Sequence, residues 1–239
     1  MKNLTWQNPE QLFVAQELIN KVKSKCCGIK VIMIRSASEM RAAARASLSG
    51  KWGGAVMVTL VYLAVMGVLP AGIDLKVYDG VGSIIQLVLM PLGWSMSVLF
   101  LDNLRSGDEY KVGQLFEGFR DYTRVAGTMI LTGIYTFLWT LLLIVPGIIK
   151  SFSYAMTAFV LRDNPELKFN GAIEKSMKMM DGHKFDLFYL YLTFIGWGLL
   201  CILTLGIGLL WFVPYMQSAL AHFYEDVKAE YEAAQAQGE

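Results

Sequence analysis

The sequence predicts an all-α, polytopic membrane protein in which six transmembrane helices form three helical hairpins, with interfacial amphipathic helices between them. Two long apolar runs predict this fold class. Residues 125–161 contain Lys150 as their only charged residue, and residues 187–224 contain no Asp, Glu, Lys or Arg. One crossing of the roughly 30 Å hydrocarbon layer takes about 20 residues, so each run is long enough for two crossings and a turn.

The composition predicts the same fold class. Hydrophobic residues make up 55% of the 239 residues and charged residues 17%, against about 45–50% and about 25% in a soluble domain. The excess is concentrated in four blocks, at 53–73, 80–101, 125–161 and 187–224. A soluble core in a chain this short could not enclose several such helices. The net charge of +1 argues against nucleic-acid binding as the main role.

An amino-terminal extension, residues 1–33, precedes the apolar blocks. Asn8 and Pro9 are typical of a helix start. Apolar residues then recur at helical spacing, at Leu12, Ala15, Ile19 and Val22. This spacing predicts a short amphipathic helix over 9–24, which could dock on the protein, on a partner or on the membrane surface.

Three cysteines, Cys26, Cys27 and Cys201, are too few for a disulfide framework, so a reducing compartment is compatible with the sequence. The adjacent pair at 26 and 27 consists either of plain thiols or of palmitoylation sites beside the bilayer. The chain opens without the charged start, apolar stretch and small-residue cleavage site of a secretory signal peptide.

The six-span membrane domain is predicted over 34–228. A basic amphipathic helix from Ser38 to Lys51 should lie along the lipid headgroups and lead into span one at 53–69. Span two follows at 81–101, where Pro91 removes a backbone donor and predicts a kink.

The second hairpin is predicted at 125–161. The segment at 102–124 before it carries charges of both signs, and its apolar residues predict an interfacial helix. Those apolar residues are Leu115, Phe116 and Phe119. Span three, at 125–145, has a threonine at every fourth position, namely Thr128, Thr132, Thr136 and Thr140. Such a row either lets another helix approach closely or lines a solute pathway.

The turn of the second hairpin is predicted at Pro146 and Gly147, so span four, which ends near Leu161, is the shortest of the set. Lys150 lies near the start of that span. An intramembrane cation is a functional-site hypothesis by default, whereas a lysine within one turn of the membrane edge can extend its amine to the headgroups. The sequence favours membrane anchoring for this lysine.

The third hairpin is predicted at 187–224, with span five at 187–205, span six at 207–224 and a glycine-rich turn between them. An interfacial helix is predicted in the 162–184 connection before it. Residues 229–239 should form a solvated tail.

A unit of interfacial helix, span, turn and span is therefore predicted three times. The three units are 38–101, 112–161 and 170–224. A shift of 61 residues places Gly147 on Gly208 and Tyr154 on Tyr215. This match predicts an internal repeat, with three similar hairpins around a pseudo-threefold or layered core.

The positions of lysine and arginine predict the orientation, because positively charged connections stay in the cytoplasm. Six spans place nineteen of the 21 Lys and Arg residues on one side and leave only Lys76 and Lys150 elsewhere. The sequence therefore predicts a multi-pass protein of the plasma membrane with both termini in the cytoplasm.

Residues that could carry chemistry are few. The sequence contains no HExxH, no cysteine ligand pair, no Walker-type glycine loop and no GxSxG turn. His183 either meets lipid phosphate or belongs to a basic boundary that fixes topology, and His222 is either a proton relay or a hydrogen-bonded structural residue. Met177, Met179 and Met180 are either copper ligands or, more commonly, adaptable apolar contacts. We assign no catalytic, cofactor-binding or metal-ligating residue and expect no cofactor.

Six motifs occur in order along the chain: PGIIKSFSYAM, DNPEL, SMKMMDGHK, FIGWGLL, LTLGIGLLWFVPY and AHFYED. Through these motifs, residues 34–228 resemble the bacterial membrane proteins grouped as domain of unknown function family 975. The resemblance implies a six-span protein of the bacterial plasma (inner) membrane, distantly similar to the membrane domains attached to some glycerophosphodiester phosphodiesterases. It implies no catalytic residues. Family members begin near Met33, so residues 1–32 are either an added helix or not part of the native protein.

The leading functional hypothesis is a non-enzymatic integral membrane protein that organises lipid or partner proteins. The alternative is a small-solute or lipid transporter, which predicts that Gln86, the threonine row and His222 converge on a solvated pocket. A membrane enzyme acting on lipid headgroups would need clustered acids with Asp181 and His183 at one cytoplasmic cleft. The expected partners are the lipid bilayer and either other membrane proteins or a second copy of the chain, and not nucleic acid.

Overall fold

The computed structural model describes residues 34–74 and 81–238. Two predictions, the helix at 9–24 and the alternatives for the cysteines at 26 and 27, lie outside the described residues. The described chain is helical and has no strand. Its helices are α1 (Ala37–Leu48), α2 (Trp52–Leu63), α3 (Leu69–Asp74), α4 (Val81–Val88), α5 (Met90–Ser106), α6 (Tyr122–Leu142), α7 (Ile144–Tyr154), α8 (Thr157–Asp163), α9 (Asn170–Met179), α10 (Lys184–Leu203) and α11 (Leu209–Gly238). A π-helical turn, Ala64–Val68, joins α2 to α3, and a 3₁₀ segment, Val112–Phe119, precedes α6.

Five helical segments within the described ranges are long and apolar enough to cross a membrane. They are Trp52–Asp74, Val81–Ser106, Tyr122–Leu142, Ile144–Asp163 and Lys184–Leu203. These five segments correspond to predicted spans one to five. The all-α class predicted from the sequence is therefore confirmed, and the chain has the helices of a membrane protein.

Helix α1 is amphipathic, as predicted, but protein covers its apolar face. Its start is capped because the Ser36 hydroxyl accepts from the Glu39 N–H at 3.4 Å and the Glu39 carboxylate accepts from the Ser36 N–H at 2.8 Å. Hydrogen bonds from the Ser36 side chain and backbone lower the pKa of Glu39. The helix buries Ala37, Met40, Ala44 and Leu48 and packs along α11. The sequence predicted that this helix would lie along the lipid headgroups. Its apolar face instead lies against protein.

The turn predicted at Pro146 and Gly147 is wrong by three residues. Helices α6 and α7 are joined by the single extended residue Leu143, with φ −157° and ψ 132°. Proline fits in the first turn of a helix because its missing N–H would have no intrahelical partner there. Span four is consequently not short: it covers the 20 residues of Ile144–Asp163 as the two helices α7 and α8.

The second predicted span is also divided. Helix α4 ends at Val88 and α5 begins at Met90, with Leu89 between them. Pro91 lies in the first turn of α5, where the loss of its backbone donor costs little. The interruption expected at the proline therefore lies two residues earlier.

A glycine lies at each place where two apolar helices meet after a connection. These connection glycines are Gly82 against α3, Gly147 against α6 and Gly208 against α10. A methyl group on Gly147 would lie 2.6 Å from the Thr140 Cα, and one on Gly208 would lie 3.2 Å from the Cys201 Cα. A methyl group on Gly82 would collide with the Pro70 carbonyl oxygen. Only glycine allows the backbones to approach this closely.

The buried core lies where α5, α8 and α11 run together. Helix α5 packs on both α8 and α11, and the rings of Phe159 and Tyr224 stack with centroids 5.1 Å apart. Large apolar side chains that stay exposed lie instead near the connections, for example Val68, Ile84, Leu141, Ile202 and Leu205. Apolar surface of this extent is typical of helices that face lipid.

We expect Gly147→Ala to lower the free energy of unfolding by about 1–3 kcal/mol, because the added methyl overpacks the α6–α7 contact. The matched control is Gly133→Ala in α6, where the added methyl meets nothing within 4 Å. Alanine there should stabilise the helix by about 0.5–1 kcal/mol. Thermal unfolding of the detergent-solubilised protein measures both changes. A Gly147→Ala midpoint at or above that of the parent chain would contradict the close approach.

Candidate functional site

A cavity of about 530 Å³ lies among α5, α7, α8, α10 and α11. This central cavity is lined by Ser97, Ser151, Phe152, Ala155, Phe159, Tyr191, Met216, Gln217 and Leu220. Four of these side chains are polar and none is charged. The cavity therefore offers aromatic surface and hydrogen-bonding groups in an uncharged setting, as small-molecule sites commonly do.

Three of the four polar side chains of the central cavity lack a hydrogen-bond partner among the described residues. The Gln217 Oε1 atom is buried and accepts no hydrogen bond from any described residue. Among the same residues, the Ser97 and Tyr191 hydroxyls have no hydrogen-bond partner either. Only the Ser151 hydroxyl is bonded, to the Ile148 carbonyl at 2.7 Å. Buried polar groups normally have a partner, so the cavity is suited to water or a polar ligand.

A break in the fourth apolar segment lies beside the central cavity. Helix α7 ends at Tyr154 and α8 begins at Thr157. Two donors from other helices bond carbonyls on either side of the break. The Ser176 hydroxyl donates to the Ser153 carbonyl at 2.9 Å, and the Trp94 indole donates to the Ala158 carbonyl at 3.0 Å. Discontinuous helices of this kind form the binding sites of several transporter folds.

A charged cluster centred on Asp163 joins the C-terminal ends of α5 and α8 to the middle of α11. Its carboxylate accepts two hydrogen bonds from Arg105 at 2.6 and 2.8 Å, one from the Tyr224 hydroxyl at 2.9 Å and one from Lys228 at 2.6 Å. Arg105 also pairs with Glu225 at 2.6 Å. Because Asp163 is fully bonded and its side chain is only 9% exposed, it acts as a structural tie between α5, α8 and α11 and not as a free base.

His222 lies at the contact between α1 and α11. Its Nε2 atom is 3.3 Å from the Ser47 hydroxyl, which is 3.0 Å from the Ser218 hydroxyl. Beside it, Arg35 donates to Asp226 at 2.7 and 2.8 Å, and the hydrogen bond to Asp226 raises the pKa of Arg35. His222 does not line the central cavity. Its surroundings fit the structural alternative and not the proton relay.

The threonine row uses its hydroxyl hydrogens within its own helix. Each hydroxyl donates to the carbonyl four residues earlier at 2.8 Å, and the Thr128 hydroxyl also accepts from the Phe169 N–H at 3.1 Å. The Gln86 amide is 3.5 Å from the Met66 carbonyl. None of these residues lines the central cavity. The convergence of Gln86, the threonine row and His222 that a transporter predicted is therefore not found.

Lys150 lies in the second turn of α7 and contacts the neighbouring helices. Its amine is 5.1 Å from the centre of the Trp139 ring and 4.0 Å from the Met177 sulfur. A cation over an aromatic face is stabilised by the ring quadrupole. The Lys150 amine therefore contacts α6 and α9. The sequence favoured a different position, in which the amine extends to the headgroups.

His183 lies near two carboxylates, 3.5 Å from Asp186 and 3.7 Å from Glu230. Asp181 instead pairs with Lys184 at 3.7 Å. Met179 and Met180 are buried in the core while Met177 contacts Lys150, so the three methionines do not form one ligand set. No group of three His, Cys, Asp or Glu in the described ranges is arranged to hold a metal ion.

Sequence reasoning did not single out Gln217, Asp163 or Arg105. A signal existed for Gln217, which is the only Gln in the uncharged run at 187–224. A second signal was the recurrence of paired opposite charges at the ends of three apolar blocks, at 102–105, 162–163 and 225–228. Their mutual contacts span about 60 residues or more and depend on tertiary packing.

A comparison with protein families now identifies the part of the chain that contains most of these groups. The model of the family described as Protein of unknown function (DUF975) matches residues 140–231. Over residues 140–231 the chain is similar to the DUF975 family. This range includes all six motifs and confirms the family resemblance over these residues. The resemblance over 34–139 stays a prediction. No curated protein and no solved structure matches the chain.

The DUF975 range contains the helix break, the Asp163 carboxylate and the cavity residues Ser151, Tyr191 and Gln217. Together with the five apolar helical segments, the match indicates a membrane protein. Two further residues, Ser97 of the central cavity and Arg105 of the Asp163 cluster, come from α5, which lies before the matched range.

We expect Asp163→Asn to destabilise the protein by about 3 kcal/mol, because it leaves Arg105 and Lys228 without their shared buried partner. The matched control is Asp181→Asn, since the Asp181 side chain is 85% exposed and an exposed pair contributes about 0–1 kcal/mol. Chemical unfolding in detergent measures the difference. Equal losses in the two variants would show that the cluster does not hold the helices together.

Proposed function

We propose that this chain is an integral protein of the bacterial plasma membrane that crosses the bilayer six times and organises lipid or partner proteins without catalysing a reaction. The observation that carries this proposal is the separation of two surfaces. Most of the large exposed apolar side chains lie near the connections between the two arms of each hairpin, whereas the ion pairs of Asp163, Arg162 and Asp226 lie toward the other end of the apolar segments. A protein anchored by apolar hairpins with a charged cytoplasmic base has this distribution.

The first half of α11 is the proposed sixth crossing. It packs against α1, α2, α5 and α10, and Ser218, Ala219 and Ala221 are buried within it. A helix that is mostly packed against protein needs less apolar surface than one that faces lipid on most sides, so this segment need not be as apolar as the other five. Six crossings also place both chain ends on one side, which agrees with the 2.7 Å contact between Arg35 and Asp226.

Three repeated hairpins are supported by a cyclic pattern of contacts. The 3₁₀ segment packs on α5, α9 packs on α7 and α8, and α1 packs on α11. Each amphipathic segment thus contacts the second arm of the preceding hairpin, and the first contacts the last. The first arms follow the same order, since α6 packs on α5, α10 on α7 and α2 on α11. This is the arrangement expected of a pseudo-threefold repeat.

Cysteine labelling tests the six-span topology. In a chain with its native cysteines replaced by serine, we expect an impermeant maleimide to label Asp79→Cys on intact cells. Asp108→Cys and Glu166→Cys should react only after the cells are permeabilised, because their connections lie with the basic residues in the cytoplasm. Labelling of Glu166→Cys from outside would contradict the proposed orientation.

A second candidate function, transport of an uncharged solute, is favoured by the central cavity. Its unpartnered Gln217, Ser97 and Tyr191 groups could bind a polar molecule, and the absence of charged lining residues makes an ion a poor fit. The broken α7–α8 segment beside it resembles transporter sites. This candidate differs from the organiser in requiring a bound small molecule.

We expect Gln217→Leu to raise the unfolding midpoint, because an unsatisfied buried amide costs about 1–3 kcal/mol. Gln217→Glu should lower it by placing a charge in the same uncharged cavity. Thermal unfolding compares the three proteins, and native mass spectrometry of the detergent-extracted chain reads out bound solute. An uncharged solute retained by the parent chain and lost in Gln217→Leu would support transport. No retained solute in either protein would favour the organiser.

A further inference from the structure

A second cavity, of about 390 Å³, lies between the α1–α2 junction and the pair α10 and α11. This tryptophan groove is lined mainly by Arg45, Trp52, Trp197, Trp211, Phe212 and Tyr215. Trp197 and Trp211 are about half exposed, at 48% and 51%. The groove is therefore an open apolar slot with a cationic side chain in its lining.

The Thr204 hydroxyl of the tryptophan groove is hydrogen-bonded within the described chain, whereas the groove's arginine is not. The Thr204 hydroxyl donates to the Cys201 carbonyl at 3.1 Å and accepts from the Gly208 N–H at 3.0 Å. Arg45 is exposed and has neither a hydrogen bond nor an ion pair among the described residues. The described lining of the groove thus contains one cation without a partner, Arg45, and no acidic residue.

Arg41 lies one helical turn before Arg45 and also lacks a carboxylate partner within the described ranges. Both guanidinium groups lie within electrostatic range of Tyr215. The nearest acid in the sequence of α1, Glu39, is already bonded to Ser36 at 2.7 and 2.8 Å. Four other arginines, Arg35, Arg105, Arg124 and Arg162, have carboxylate partners. The charge at the groove is therefore uncompensated.

We propose that the tryptophan groove binds an anionic glycerophospholipid, with its phosphate on Arg45 and Arg41 and an acyl chain against Trp52, Trp197 and Trp211. This inference rests on the proposed membrane location and names the lipid that the protein organises. Guanidinium groups bind phosphate oxygens through paired hydrogen bonds, and basic pockets between membrane helices select anionic headgroups. The slot supplies the apolar surface that an acyl chain needs.

A second copy of the chain is a poorer occupant. A symmetric dimer through this face would bring Arg45 and Arg41 of one protomer near the same positive residues of its partner, and like charges in contact oppose association. The groove itself provides no acid to neutralise them. Anionic lipid supplies the missing charge and the apolar chain in one molecule.

Fluorescence quenching tests the proposal with the full chain. Trp6→Phe removes the one tryptophan that precedes the described residues, and Trp139→Phe removes one that does not line the groove. The other described tryptophan away from the groove, Trp94, is only 5% exposed. This parent is placed in phosphatidylcholine nanodiscs in which the fraction of brominated phosphatidylglycerol, or in a parallel series of brominated phosphatidylcholine, is raised stepwise. We expect half-maximal quenching at a lower fraction of the anionic lipid than of the neutral one, by about fivefold for each arginine engaged.

The arginine variants identify the source of this preference. Arg45→Gln together with Arg41→Gln should make the two brominated lipids equivalent, whereas Arg45→Lys should keep part of the preference. Arg120→Gln is the matched control, because Arg120 is also exposed and unpaired among the described residues but does not line the groove. It should quench like the parent. Unchanged quenching by brominated phosphatidylcholine in all variants shows that they remain folded and inserted.

Four results would overturn the proposal. Equal quenching by both lipids in the parent would show that the groove does not select an anionic headgroup. A preference that persists in the double arginine variant would place selection elsewhere. A dimer in native mass spectra whose tryptophans neither lipid quenches would assign the groove to a second copy. Absence of quenching in a monomer would instead overturn the proposed membrane insertion, and this inference with it.

Discussion

The hydrogen-bonded carboxylate of Asp163 is the constraint on which the arrangement of the helices depends. A largely buried carboxylate is costly unless several donors satisfy it. Its donors come from two other helices, with Arg105 on α5 and with Tyr224 and Lys228 on α11. The three helices can satisfy Asp163 only when the ends of α5 and α8 lie against the middle of α11. That requirement fixes the level at which α5, α8 and α11 meet, and so the position of the central cavity between them.

Away from that cluster, different forces must hold the helices. Lipid tails are as apolar as leucine, so no hydrophobic force drives helices together inside a bilayer, and close packing has to do so. The connection glycines Gly82, Gly147 and Gly208 provide that close approach. The threonine row serves the same purpose, since its hydroxyls are satisfied by their own helix and leave the surface free to pack. The break after Tyr154 is tolerated because Ser176 and Trp94 bond carbonyls on either side of it.

The fold class could be predicted from the sequence because 38 residues without charge, at 187–224, are explained by an apolar environment. That environment is lipid or other apolar helices. The α6–α7 connection could not be placed, because Pro146 and Gly147 are as suitable for the first turn of a helix as for a loop. The central cavity was also beyond reach. Gln217 is visible in the sequence, but its lack of a partner depends on helices about 60 to 120 residues away. The family resemblance, by contrast, was predictable, because six local motifs carry it.

The arginines show how one chain uses a single residue type for two purposes. Where a carboxylate lies opposite, as Asp163 does for Arg105 and Asp226 for Arg35, the pair fixes helices and neutralises the charge. On the outer side of α1, Arg41 and Arg45 have no acid within the described part of the chain, so their charge is directed outward. Evolution toward stability alone would not favour isolated cations beside an apolar groove, because an acid nearby would lower their electrostatic cost. An unpaired cation next to tryptophan is useful when its counter-charge is supplied by the surroundings, and a bilayer supplies that charge on phosphate.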